Sequence, residues 1–280
     1  MIRLVICLFS CCVWSGASAS DSPTPRAHYI ANMGAMIEHG QTKIVFDPLF
    51  RNDFDTYDGV PAKIEAALLA GVEPWNSIDA VFISHYHEDH FDPATILKLL
   101  GAQQTIELFG PEQAAAAIRE LLVDPEDPLR ERVHGLSLKN GGAAIDIEFG
   151  PLLIEAIRVP HAGWPGSHED VENIIFRVTL DSETTVMHFG DADPVDEHYS
   201  EHPEHWKERQ THFAMPPYWF FFSNEGRQIL GDRIGALDVV GMHVPTKVPD
   251  DAANRSENLQ DVDLFTQPGE TRDISTIDAQ

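Results

Sequence analysis

Cysteine is scarce in this chain of 280 residues, and the few cysteines are confined to one place. The three of them, Cys7, Cys11 and Cys12, all lie close to the first residue. The rest of the sequence therefore contains no thiolate ligand and no pair of residues for a disulfide bond. Any metal ion bound there must be held by histidine and carboxylate side chains.

Positive charge is also scarce, with 19 Lys and Arg residues against 45 Asp and Glu residues and a formal net charge of −26. A surface of this charge repels the phosphates of nucleic acids and anionic membrane surfaces. We therefore expect a small-molecule substrate and no nucleic-acid partner. The sequence does not indicate an oligomeric state.

No apolar run has the length of a membrane span, since the run from Leu4 to Trp14 is too short. It follows Arg3 and precedes Ala17-Ser18-Ala19, which is the order of a secretory signal peptide. This pattern predicts a cleaved signal peptide over residues 1–19 and a periplasmic or secreted protein. Leu8-Phe9-Ser10-Cys11 weakly resembles a lipoprotein cleavage site, which leaves lipidation as the alternative.

Residues 20–280 are then predicted to form a single domain with an acidic C-terminal tail from about residue 250. Apolar stretches over 28–38 and 43–47 predict a β-hairpin near the start of this domain. A helix is predicted over 195–207, and His168 is expected at the surface rather than at a substrate.

The most informative stretch is the segment from Ser84 to His90, called the metal loop below. Apolar residues 80–83 before it predict a short buried strand, and Asp92-Pro93 after it predicts the start of a helix. Four potential ligands lie within six consecutive residues, namely His85, His87, Asp89 and His90. Imidazole and carboxylate suit zinc, iron and manganese, so this density favours metal binding over an ordinary polar loop.

Three further polar residues, His161, Asp191 and His243, each follow closely after a predicted strand. Strand ends that converge on one edge would build a metal site from distant parts of the chain. Taken singly, each of these residues is more often an ordinary polar residue leaving a strand. Asp47, which ends the predicted hairpin, is either a turn residue or a support for the metal loop, and the local sequence favours the turn.

The motif His-x-His-x-Asp-His in the metal loop, followed by His161, Asp191 and His243, resembles the metallo-β-lactamase superfamily over about residues 28–245. The resemblance implies an α/β fold, an αββα sandwich of two mixed β-sheets flanked by helices, with a two-metal site at one edge. It also implies two ligand sets: His85, His87 and His161 for one ion, Asp89, His90 and His243 for the other, and Asp191 as the bridge. Asp47 would then support the site.

Two other phrases, His188 to Asp193 and Met242 to Pro245, look most like the branch that contains ascorbate-phosphate lactonase and related hydrolases. Members of that branch often carry a histidine near the first hairpin, where this chain has Asn32-Met33-Gly34.

A pair of divalent cations lowers the pKa of a shared water, so hydroxide forms near neutral pH and attacks a polarised carbonyl or phosphoryl group. We therefore expect a metal-dependent hydrolase acting on a small ester, lactone, amide or phosphoester. Zn²⁺ is the favoured ion, with Mn²⁺ or Fe²⁺ as alternatives, and Asp89 is the catalytic candidate that orients the nucleophile or relays its proton.

Three other hypotheses share the motif. Nucleic-acid processing is disfavoured by the acidity and the signal peptide. Di-iron oxygen or nitric-oxide reduction would usually bring a flavin-binding domain and a Glu where His87 stands. A non-catalytic metal- or ligand-binding protein of the same fold is the remaining alternative, and β-lactam hydrolysis does not follow from the fold.

Overall fold

The computed structural model describes residues 23–276, so the predicted signal peptide and the three cysteines lie outside the described residues. The strands are β1 (Arg26–Ala31), β2 (Gly34–His39), β3 (Thr42–Phe46), β4 (Ala80–Phe82), β5 (Glu107–Pro111), β6 (Val133–Leu136), β7 (Ile145–Phe149), β8 (Leu152–Arg158), β9 (Ile174–Leu180), β10 (Thr184–His188), β11 (Phe213–Met215), β12 (Asp238–Val239) and β13 (Thr271–Asp273). The α-helices are α1 (Ala62–Ala70), α2 (Pro93–Ala102), α3 (Glu112–Leu121), α4 (Glu197–Ser200), α5 (Pro203–Lys207) and α6 (Asn224–Gln228), the last continued by a π-helical turn over Ile229–Ile234. None of the helices in this range has the length and hydropathy needed to cross a membrane.

The strands form two mixed sheets. The first has the order β13-β1-β2-β3-β4-β5-β6, antiparallel from β13 to β3 and parallel from β3 to β6. The second has the order β12-β11-β10-β9-β8-β7, antiparallel from β7 to β10 and parallel from β10 to β12. Parallel strands place their carboxyl ends at one edge, where the loops that follow them meet.

Apolar side chains divide the domain into four layers. Between the sheets, Phe82 of the first packs against Phe176 of the second with ring centroids 5.0 Å apart. On the outer face of the first sheet, Val81 packs with the buried side of α2, including Leu99. On the outer face of the second, Trp206 of α5 is fully buried in a separate cluster. Helices on both outer faces bury the second side of each sheet, and the predicted αββα sandwich is confirmed.

Two predicted elements are interrupted. The first strand of the predicted hairpin splits into β1 and β2, because Asn32 adopts a left-handed backbone with φ of 49° that asparagine tolerates better than most residues. The predicted helix over 195–207 is broken into α4 and α5. His202 between them is non-helical (φ −129°, ψ 61°), as expected of a residue that precedes a proline.

The segment from residue 250 packs against the body of the domain, with Leu259, Val262 and Leu264 in the cluster on the outer face of the second sheet and its last part on the first sheet. Phe265 is fully buried and stacks on Tyr29 of β1 at a centroid distance of 4.9 Å. β13 pairs antiparallel with β1, and the buried Ile274 follows it. β13 therefore covers the hydrogen-bonding edge of β1 that would otherwise be open.

Candidate metal centre

The metal loop is fixed at both ends by hydrogen bonds to neighbouring elements. Asp47, directly after β3, accepts from the Ser84 backbone N–H at 2.8 Å and from the Ser84 hydroxyl at 2.6 Å. At the other end, Asp92 caps α2 by accepting from the Thr95 N–H at 2.8 Å. A parallel strand end and a capped helix therefore hold the loop between them.

Seven side chains converge at this edge, and they are those singled out from the sequence: His85, His87, Asp89, His90, His161, Asp191 and His243. Potential ligand atoms lie within 4.8 Å of one another in each of three groups, which are His85–His87–His161, Asp89–His90–His243 and His85–His90–Asp191. The Asp191 carboxylate lies between the first two groups. Its Oδ2 is 3.4 Å from His161 Nε2 and 3.3 Å from His243 Nε2, and its Oδ1 is 3.2 Å from His90 Nε2.

Five potential metal-ligand atoms of the cluster have no hydrogen-bond partner among the described residues. These buried atoms are the Nε2 atoms of His85, His90, His161 and His243 and the Oδ1 of Asp191. Buried polar atoms without a partner are costly, and divalent cations would satisfy all five at once. The residues present therefore fit a metal centre.

The opposite ring nitrogens are held by the protein. His90 Nδ1 donates to Asp47 Oδ2 at 2.9 Å, and His161 Nδ1 donates to the carbonyl oxygen of residue 162 at 2.9 Å. His85 Nδ1 lies 3.0 Å from the Ser84 hydroxyl. Such contacts fix the ring orientation and aim each Nε2 lone pair at the centre. Asp47 thus has both roles considered from the sequence, since it also turns the chain with φ of 39°.

The cluster shifts the pKa values of its members in opposite directions. Burial, followed by repulsion from His90, holds the pKa of His85 well below its usual value, and burial lowers the pKa of His87 to about 4. Burial also opposes charge on His90, but Asp191 and Asp89 outweigh it and raise the His90 pKa well above the usual value. Burial would raise the pKa of Asp191, but His243 and His90 have the larger, opposite effect. The pKa of Asp191 therefore lies well below its usual value. The carboxylates are therefore ionised, and cations can replace the protons on the histidines beside them.

Three supports of the site were not found from the sequence. Asn32 is fully buried and donates through Nδ2 to the backbone oxygen of Asp89 at 2.9 Å and to its Oδ2 at 3.3 Å. Asn173 Oδ1 accepts from the Asp191 N–H at 2.9 Å. Gly190 has φ of 54°, and a Cβ there would lie 2.3 Å from Asn173 Oδ1, so only glycine fits. The one available signal was the sequence Asn32-Met33-Gly34, which stands where members of the resembled lactonase branch often carry a histidine.

A cavity of about 1030 Å³ opens over the ligand cluster. His168 is exposed, as expected, and also lies on the wall of this cavity, with its ring centroid 4.4 Å from that of His161. Tyr57 lies on another wall and meets the His243 ring edge-on at 4.2 Å. A small molecule in this cavity would reach the ligand cluster directly.

Comparison with known proteins agrees with this architecture. Residues 42–207 match the family model described as a beta-lactamase superfamily domain. No curated protein matches the chain by sequence.

Similar solved structures include a novel metallo hydrolase from Ignicoccus hospitalis, with TM-score 0.55, 17% identity and coverage of 89% of this chain and 97% of that chain. An isothiocyanate hydrolase from Delia radicum gut bacteria has TM-score 0.57 and 18% identity, covering 88% and 98%. A metallo-beta-lactamase fold protein from Bacillus subtilis has TM-score 0.54 and 16% identity, covering 89% and 99%. At these identities the likeness shows a shared fold.

Proposed function

We propose, from the premise that this chain belongs to the beta-lactamase superfamily, that it is a metal-dependent hydrolase with a two-cation centre. The observation that carries the proposal is the set of buried, inward-facing ligand atoms without protein partners. In the proposed centre His85, His87 and His161 hold one ion, Asp89, His90 and His243 hold the other, and Asp191 contacts both. Zn²⁺ is the favoured ion, with Mn²⁺ and Fe²⁺ as alternatives, because imidazole and carboxylate suit all three.

When bound, the cations supply Lewis acidity, which lowers the pKa of water and polarises a carbonyl or phosphoryl oxygen. The protein supplies positioning and proton handling. Burial raises the pKa of Asp89, but the charge of His90 and the His243 imidazole 3.2 Å away outweigh it and lower the pKa, so the carboxylate is ionised. Asn32 fixes this carboxylate at the cavity wall, where Asp89 can orient the nucleophile and accept its proton.

The proposed substrates are small esters, lactones, amides or phosphoesters. The sequence resemblance to ascorbate-phosphate lactonase and related hydrolases supports lactones and esters first. Among the described residues that line the cavity, Arg51 is the single Lys or Arg, and its guanidinium is bound to Glu65. The lining therefore gives little support to a substrate that must be held by its phosphate.

Chelation tests the proposal. Dialysis against a chelator should remove bound metal and abolish hydrolysis of a lactone and ester panel, and added Zn²⁺ should restore both. His87→Ala, which removes one half-exposed ligand, should lower kcat/KM by about tenfold or more and reduce metal content. Hydrolysis that survives in the metal-free protein would refute a metal-dependent enzyme, whereas metal binding without hydrolysis of any substrate would favour the binding-protein alternative.

Export through a cleaved signal peptide is a second part of the proposal and is supported by the charge and hydropathy pattern of residues 1–19. Residues 20–280 would then act as one hydrolase domain. Expression of the full chain in a Gram-negative host should give periplasmic protein whose N-terminus, read by mass spectrometry, is Ser20. An uncleaved cytoplasmic product would contradict export, and a lipid-modified cysteine would instead support the lipoprotein alternative.

A further inference from the structure

We propose that the segment from Asn52 to Tyr57, called the mouth segment here, forms an apolar subsite for an uncharged aryl or alkyl group of the substrate. The inference rests on the proposed hydrolase function and specifies its substrate class, a neutral ester, lactone or amide with an apolar substituent. Phe54 is the specificity-determining residue of this subsite.

The first observation is an aromatic ring displayed at the mouth of the cavity. Phe54 lines the cavity over the ligand cluster and is 53% exposed, which leaves much of a phenyl ring in water. Tyr57, Tyr86, Phe91 and Pro93 contribute further apolar surface to the lining of the same cavity. A substrate group placed against this surface would remove it from water, which is favourable.

The second observation is that the mouth segment is tied to two of the loops that carry proposed metal ligands. Asn52 Nδ2 donates to Glu88 Oε2 at 2.9 Å, and Glu88 lies between two ligands of the metal loop. At the other end the Thr56 carbonyl accepts from the Thr246 N–H at 2.9 Å, three residues after His243. The position of Phe54 relative to the ligand cluster is therefore set by direct hydrogen bonds.

The backbone of the mouth segment is also held in an uncommon conformation. Phe54 and Asp55 have φ of 51° and 50°, a region that residues other than glycine rarely adopt. The Asn52 side chain stabilises this turn by accepting from the Phe54 N–H at 3.0 Å. Such a conformation costs free energy, and it presents the Phe54 ring outward, where it gains little from packing.

The third observation is the charge of the lining. Both terminal nitrogens of Arg51 donate to Glu65, at 2.8 and 2.5 Å, so this guanidinium is already paired. Beyond the ligand cluster, Glu88 and Asp92 add carboxylates to the lining, and none of the described lining residues offers a free cation. An anionic substituent would be repelled there, whereas a neutral apolar one would not.

Hydroxamates test the subsite independently of hydrolysis, because they bind metal centres without being turned over. Affinities of the Zn²⁺-loaded full chain for acetohydroxamate, benzohydroxamate and 4-carboxybenzohydroxamate would be measured by calorimetry. Benzohydroxamate should bind about tenfold more tightly than acetohydroxamate, and the added carboxylate should remove most of that gain.

Phe54→Ala should reduce the preference for the phenyl probe severalfold and leave acetohydroxamate binding and metal content unchanged. Phe222→Ala is the matched control, since Phe222 is 47% exposed and lies outside the cavity lining. Glu88→Gln, which can still accept from Asn52, should tighten binding of the carboxylated probe selectively.

Equal affinity for the acetyl and phenyl probes, a preference for the carboxylated probe, or an equal loss in both Phe variants would overturn the subsite. Failure to hydrolyse any ester, lactone or amide would instead count against the proposed function and leave the measured probe preference standing.

Discussion

Replacing Asp191 with alanine should lower kcat/KM for hydrolysis by about 10³-fold, because several kcal/mol of charge stabilisation are lost with the cation centre. Among the described residues, Asp191 is the one carboxylate whose oxygens approach both ligand groups, with His161 on one side and His90 and His243 on the other. In the proposed two-cation centre, its removal would deprive both ions of a ligand and leave His161 without its neighbouring carboxylate, while Asp89 and Asp47 would still lie beside His243 and His90. Metal content should fall together with activity.

The measurement pairs steady-state kinetics with metal analysis of the purified variant. Asp193→Ala is a suitable control, because Asp193 is a buried carboxylate two residues along that belongs to none of the described ligand groups. That control should retain its metal. A fully metal-loaded Asp191→Ala protein with undiminished kcat/KM would show that this carboxylate is not a ligand.

The sequence predicted the fold and the convergence of the seven side chains because both depend on features that are local or ordered along the chain. The metal loop is contiguous, and His161, Asp191 and His243 follow β8, β10 and β12. These three strands run in the same direction, which brings the residues after them to one edge. Their role as metal ligands stays a prediction, as does the number of ions.

What the sequence did not predict depends on contacts between distant segments. From local sequence alone Asp47 is favoured as a turn residue, because its partner Ser84 is 37 residues away and no local pattern links them; only the family resemblance implies that it supports the site. His168 is exposed, as expected, but the sequence does not predict that it also lines the cavity, because this depends on a loop in which Gly163 has φ of 93° and His168 has φ of 58°. Asn32 was read as part of a continuous strand, because positive φ cannot be deduced from apolar neighbours.

Replacing Arg177 with methionine should reduce the free energy of unfolding by about 3–5 kcal/mol, the cost of leaving a buried charge without its partner. Arg177 on β9 lies opposite Glu155 on β8, and the two side chains are 1% and 0% exposed. The guanidinium bonds both oxygens of Glu155, with Nε to Oε2 at 2.8 Å, and NH1 donates to the His205 carbonyl at 2.6 Å. Arg209, 3.2 Å from Glu155 but 36% exposed, only partly replaces this charge.

The same pair argues against metal binding by the fourth group of potential ligands, Glu155, His205 and Glu208. Arg177 already neutralises Glu155, so a divalent cation would have to displace a buried guanidinium.

Glu155→Leu combined with Arg177→Met removes both charges of the pair. This double variant should recover most of the unfolding free energy lost in Arg177→Met, as measured by urea unfolding of the zinc-loaded protein. Metal content should stay at the wild-type value in both, since the pair lies outside the ligand cluster. A double variant no more stable than the single one would show that the loss comes from packing rather than from the unpaired carboxylate.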